Sequence, residues 1–115
     1  TGSTAYSMSA GGPILTEPIG AFVITPICPH SLQLRPLVVA AESHLAIHVE
    51  GGGASVHLTV DGQTGGPLEA GDEVHVQRGK HPVLIGRAPG KDMFEVLREK
   101  LGWGSLVRGG IWNEN

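Results

Sequence analysis

The sequence predicts a mainly β fold: an antiparallel β sandwich or meander with a short N-terminal helix and a C-terminal helix. The composition favours strands and turns, with 18 Gly and 8 Pro among 115 residues. In the middle of the chain apolar and polar side chains alternate, which is the period of a half-buried strand. Further along, the apolar residues recur at helical spacing instead. A chain of this length forms at most one domain.

A short helix is predicted in the opening stretch, residues 1–13, which reads TGSTAYSMSAGGP. Ser3 or Thr4 can cap it, because a hydroxyl oxygen accepts an unpaired N–H group of the first turn. Residues 11–13 end it, since Gly tolerates a left-handed closing residue and Pro cannot continue a helix. The small side chains let a ligand approach the backbone closely. The stretch is therefore a candidate binding surface.

Two strands are predicted before residue 40. Residues 21–25 form a short apolar run between Gly20 and Pro26, which is typical of a buried strand. Residues 37–39 resume a strand after the next loop. In that loop Cys28 lies between two prolines, which hold the backbone extended.

Beyond residue 43 the side chains alternate with a period of two. Residues 44–49 and 55–60 are predicted strands joined by three glycines, so we expect an antiparallel hairpin between them. The alternation predicts that three apolar side chains of the second strand point inward: Val56, Leu58 and Val60.

Turn signals and one more change of period follow. Asp61-Gly62 and residues 69–72 are turns, and the second leads into a strand with Val74 and Val76 inward. Residues 82–85 are predicted to be the last strand.

The C-terminal helix is predicted to begin at Asp92, which can cap its first turn, and to end at Gly102. Its apolar face consists of Met93, Phe94, Val96, Leu97 and Leu101. Residues 105–115 are expected to be a flexible tail.

Composition and charge exclude several classes of protein. The net charge is −3 and the basic residues do not cluster, which disfavours a nucleic-acid or membrane partner. A single cysteine excludes internal disulfides and fits a reducing compartment. We find neither an apolar run of roughly 18 residues nor a signal peptide, so a cytoplasmic location is expected. Five aromatic residues are few for a self-sufficient core, which suggests a fragment that needs partners.

The histidines raise the question of a metal site. His44, His48, His57 and His75 occupy polar positions of alternating strands, so cross-strand neighbours could converge on one face. The spacing typical of zinc ligands is absent, and we predict a solvated face or a subunit contact and no metal. Cys28 lacks the base and orienting group that a nucleophile needs, so no catalytic cysteine is predicted.

Four stretches of the chain, in order, resemble the bacterial NAD kinases, which phosphorylate NAD with ATP or polyphosphate. They read GSTAYSMSAGGP at 2–13, TPICPHSL with RPLV at 25–38, DGQ at 61–63 and FEVLREKLGW at 94–103. The resemblance implies that residues 1–104 are the C-terminal domain of a two-domain enzyme, lacking its first strands. In this family that domain binds NAD and forms dimers and tetramers.

The resemblance also implies roles for individual residues. By similarity Thr4, Ala5, Tyr6 and Ser9 line the NAD pocket: Tyr6 supplies a flat ring, the two hydroxyls supply hydrogen bonds, and Ala5 leaves room. Three further residues are expected to approach the same pocket: Cys28, Asp61 and Gln63.

Catalysis is expected to lie outside this chain. The family's N-terminal α/β domain carries a Gly-Gly-Asp-Gly loop, whose Asp acts on the 2′-hydroxyl of NAD and whose glycines gather metal and phosphate donor. That motif is absent here. The resemblance therefore implies no catalytic residue in this chain, sites for Mg²⁺ and for ATP or polyphosphate mostly elsewhere, and an inactive isolated fragment.

Two other functions remain open from the sequence. One is a non-catalytic β module that self-associates and binds no nucleotide. The other is a lipid-kinase relative of the same architecture, against which the Tyr6 motif and the second of the four stretches argue.

Overall fold

A computed structural model describes residues 2–86 and 89–102. The described part is mainly antiparallel β, with short helical turns at its start and a longer helix near its end, so the predicted fold class is confirmed. The chain divides into two compact units between His81 and Pro82, and each unit is described by itself. Among the described residues, no helix combines the length and the apolar character needed to cross a bilayer.

Six strands of the first unit pair antiparallel in two-stranded sheets within the described residues. The pairs are β1 (Ala21–Ile24) with β2 (Leu37–Ala40), β3 (Leu45–His48) with β6 (Glu73–Val76), and β4 (Val56–Val60) with β5 (Gln63–Leu68).

The predicted hairpin between residues 44–49 and 55–60 is wrong, because β4 pairs with β5 instead. The cause is the Asp61-Gly62 turn, in which both residues have positive φ, +50° and +75°. Two such residues form the type I′ turn whose twist matches that of the flanking strands. It closes on the pair Val60–Gln63 and leaves β3 free to pair with β6.

The sequence did not predict β5. Its GGP run at residues 65–67 is unfavourable for a strand. Gly loses more backbone entropy on folding than other residues do, and Pro lacks the N–H group that would donate to the neighbouring strand. The pairing accommodates this run through a register shift between Leu58 and Thr59. There Leu58 packs so closely that a Cβ on Gly65 would lie 3.1 Å from its Cγ.

The inward orientation predicted for β4 is wrong for two of its three residues. Leu58 is half-buried, but Val56 and Val60 are 38% and 56% exposed. β1 was predicted to be buried, but its first three residues are half-buried and Ile24 is exposed, whereas Val74 and Val76 are half-buried as predicted. Among the described residues of the first unit, Ala41 is the one buried hydrophobic residue. The strands thus carry apolar side chains that lack cover within the described unit.

The second unit contains α2 (Met93–Leu101), and its predicted ends are confirmed. Asp92 Oδ1 accepts the Glu95 N–H at 2.7 Å, and Gly102 closes the helix in the left-handed conformation at φ +67°. Lys91 lies 2.7 Å from Glu99, and their hydrogen bond lowers the pKa of the Glu99 carboxyl.

Residues 82–85 form no strand, and Leu84 is 91% exposed, because the run has no pairing partner among the described residues. The tail predicted at residues 105–115 lies outside the described residues.

Candidate functional site

The candidate site is the opening motif, which folds as a 3₁₀ turn, Gly2–Thr4, followed by α1 (Tyr6–Ser9). The predicted hydroxyl cap is wrong: Ala5 precedes α1, and no side chain caps it. The reason is that Ala5 N–H donates to Gly2 O at 3.1 Å, which places Ser3 and Thr4 inside a turn of their own. Ser3 Oγ instead accepts the Leu15 N–H at 3.0 Å and so joins the start of the motif to the segment after it.

The predicted end of α1 is confirmed. Gly11 has φ +89°, its N–H donates to Met8 O at 3.0 Å, and the Gly12 N–H donates to Ser7 O at 2.7 Å. This pair of bonds is the Schellman motif, which satisfies the last carbonyls of a helix.

The predicted NAD-binding residues lie mostly on the outside of this motif. Ala5, Tyr6 and Ser9 are exposed, Tyr6 to 67% of its residue surface. Tyr6 and Ser9 are three positions apart in a helix, so they share one face. Thr4 is half-buried. The structure therefore offers an aromatic ring and a hydroxyl side by side, next to the small side chain of Ala5.

The inner side of the motif carries residues that the sequence did not single out. Ser7 is half-buried, and its Oγ lies 2.6 Å from Thr25 Oγ1, just beyond the end of β1. Gly12 lies against both residues: a Cβ there would be 2.8 Å from Ser7 O and from Thr25 Oγ1. No local sequence signal could reveal this contact, since 18 positions separate the two hydroxyls.

The three additional pocket residues stay predictions. Cys28 is exposed, with φ +47°, in the loop between Pro26 and Pro29. Asp61 and Gln63 are exposed at the tip of the β4–β5 hairpin. Within residues 2–86 and 89–102, no hydrogen bond or ion pair links these three side chains to the opening motif.

Of the four histidines at polar positions of the alternating strands, three lie close together, as those positions made possible. His48 lies opposite Glu73 in the β3–β6 register. His48 Nε2 and His75 Nε2 lie 3.2 and 3.1 Å from the Glu73 carboxylate, and His75 Nδ1 lies 3.1 Å from His44 Nε2. His57 is separate and contacts Ser55 Oγ at 3.3 Å.

Residues 2–86 and 89–102 include the histidines and carboxylates that a metal ion would need as ligands. No three or more His, Cys, Asp or Glu side chains there are arranged to hold a metal ion. The resemblance implies a Mg²⁺ site mostly outside this chain, and no residue of these ranges is assigned to that ion.

The fold agrees with that of part of a known dinucleotide kinase. Yeast NADH kinase, solved in complex with NADH, aligns with a TM-score of 0.66 at 31% identity, over 99% of this chain and 34% of the yeast chain. The chain therefore has the fold of the β-rich domain found in kinases of this kind. More particularly, the family model of the ATP-NAD kinase C-terminal domain matches residues 1–87, and the chain belongs to this family.

Bacterial relatives agree with this assignment. The chain is 50% identical over 104 residues to the NAD kinase of Koribacter versatilis and 52% identical over 105 residues to that of Geobacter sp. strain M21. Each match covers 90% of this chain, which spans about a third (36%) of the length of the curated relatives. The resemblance found in the sequence is confirmed.

Proposed function

We propose that this chain is the NAD-binding part of a NAD kinase, which phosphorylates the 2′-hydroxyl of NAD's adenosine ribose to give NADP. The observation that supports the proposal best is the exposed Tyr6–Ser9 face, presented by a chain of the ATP-NAD kinase C-terminal family. An exposed aromatic ring in a short, closed helix is a platform on which a nucleobase can stack.

Each residue of the motif has a distinct part in this proposal. Tyr6 stacks on the dinucleotide, while the hydroxyls of Thr4 and Ser9 hydrogen-bond its polar atoms. Ala5 has no side chain beyond Cβ, so the ligand can approach the backbone. Cys28, Asp61 and Gln63 approach the same pocket when the whole enzyme is assembled.

The phosphoryl transfer itself belongs to the rest of the proposed enzyme. An N-terminal α/β domain supplies the Asp base and the Mg²⁺ site, and ATP or polyphosphate is the donor in an in-line displacement. We place this enzyme in the cytoplasm.

We further propose that the first unit assembles with copies of itself into a dimer or tetramer. Apolar strand side chains such as Leu37, Ile47 and Val60 are at least half exposed. Exposed apolar surface of this kind is typical of subunit contacts.

Replacing Tyr6 by Ala should weaken NAD binding by about five- to 150-fold, because stacking of a base on an aromatic ring contributes roughly 1–3 kcal/mol. Isothermal titration calorimetry of NAD into the 115-residue chain measures the change. Since Tyr6 is 67% exposed, the circular dichroism spectrum should stay the same.

Tyr6→Phe is the matched control, because it keeps the ring and should retain most of the affinity. Equal heats for the wild type and Tyr6→Ala, or no heat for either, would instead favour the non-catalytic, self-associating module.

A further inference from the structure

The helix α1 is too short to hold its own position. It spans four residues, and helices of one turn are unstable without tertiary contacts. The direction in which Tyr6 projects therefore depends on what fixes α1 against the rest of its unit.

A part-buried hydrogen bond between Ser7 and Thr25 provides such a contact. The 2.6 Å separation of Oγ and Oγ1 is at the short end for a bond between hydroxyls. Thr25 directly follows β1, whose pairing with β2 holds it in place. Ser7 directly follows Tyr6 in α1, so the bond limits rotation of the turn that carries the ring.

Gly12 makes this contact compatible with the closed end of α1. Its N–H donates to Ser7 O at 2.7 Å, and any side chain at residue 12 would meet both Ser7 and Thr25. The backbone closure and the hydroxyl pair thus converge on Ser7, one residue from the exposed ring.

We propose that Ser7 and Thr25 are positioning residues for NAD: their hydroxyl pair fixes α1 against the end of β1 and so sets the orientation of the Tyr6 ring. The role for NAD rests on the proposed function. Neither hydroxyl needs to touch the ligand, because both act through Tyr6.

The first test needs no ligand and uses the 115-residue chain. In Thr25→Val the shape is kept but the Ser7 hydroxyl loses its partner. Amide hydrogen exchange at Ala10, Gly11 and Gly12, which bond to carbonyls of α1, should become about fivefold faster. Thr25→Ser restores the hydroxyl and should restore the wild-type rates.

The exchange test has two outcomes that overturn the proposal. Unchanged rates in Thr25→Val would show that the hydroxyl pair does not hold α1. Equal acceleration in the β4–β5 hairpin would show a general loss of stability rather than positioning.

The second test measures NAD affinity by calorimetry. Thr25→Val should weaken binding about fivefold, Thr25→Ser should match the wild type, and the control Thr59→Val, at an exposed strand position, should change nothing. If the wild type binds NAD and Thr25→Val binds it equally well, the positioning role is overturned but the proposed function is not. If the wild type binds no NAD, the proposed function fails, and the exchange test still decides whether the pair holds α1.

Discussion

The purified 115-residue chain will convert no NAD to NADP when it is supplied with ATP and Mg²⁺. Phosphoryl transfer requires a base at the acceptor hydroxyl and a metal-bound donor aligned with it. The chain spans about a third (36%) of its curated relatives and contains no Gly-Gly-Asp-Gly sequence. An enzymatic cycling assay specific for NADP should therefore give the rate of the reaction without protein.

The intact NAD kinase of Koribacter versatilis, 50% identical to this chain over their shared region, is the positive control for that assay. NADP formation that rises in proportion to the concentration of the 115-residue chain would contradict the prediction. It would mean that the acceptor and donor sites are both complete within these residues.

Gly12→Ala should destabilise the first unit by about 2–3 kcal/mol, since it combines overpacking with the loss of a hydrogen bond. The new Cβ would lie 2.8 Å from Ser7 O, a backbone atom that accepts the Gly12 N–H and cannot retreat without breaking that bond. It would also lie 2.8 Å from Thr25 Oγ1 and would displace the hydroxyl pair. Urea unfolding followed by circular dichroism measures the loss, and NAD affinity should fall with it.

Gly52→Ala is the matched control for this substitution. A Cβ at Gly52 would meet no atom within 4 Å, and the φ of Gly52 lies outside the left-handed region. Its unfolding midpoint should equal or slightly exceed that of the wild type, since Ala lowers the entropy of the unfolded chain. If Gly12→Ala gave the same midpoint as Gly52→Ala, the close packing of Ser7, Gly12 and Thr25 would be refuted.

Some local signals in the sequence predicted local structure correctly, although the hydroxyl cap of α1 and the strand at residues 82–85 were not found. The ends of α2 were predicted because Asp92 and Gly102 act within one turn of the helix they bound. The Schellman closure at Gly11 and the Asp61-Gly62 turn were also predicted from local signals. Each depends on a positive φ, which few residue types adopt readily. The roles expected for Tyr6 and Ser9 came from the family resemblance, and their place on one face of α1 was found in the structure.

Contacts between residues distant in the chain could not be predicted from the sequence. The partner of β3 could not be chosen by alternation, because every half-buried strand shows the same period. Val56 and Val60 were expected inside for the same reason, although burial depends on what covers a strand. The bond between Ser7 and Thr25 joins segments 18 positions apart that carry no mutual sequence signal, so this contact was found only in the structure.

The β4–β5 hairpin lies between β3 and β6 in the sequence, and this order has a consequence for how the chain folds. Bringing β3 to β6 from an open chain closes a long loop, whose entropic cost grows with its length. A closed Asp61-Gly62 hairpin shortens that loop before the outer strands meet. Formation of this turn therefore lowers the chain entropy that the later pairing of β3 with β6, which brings His48 opposite Glu73, has to remove.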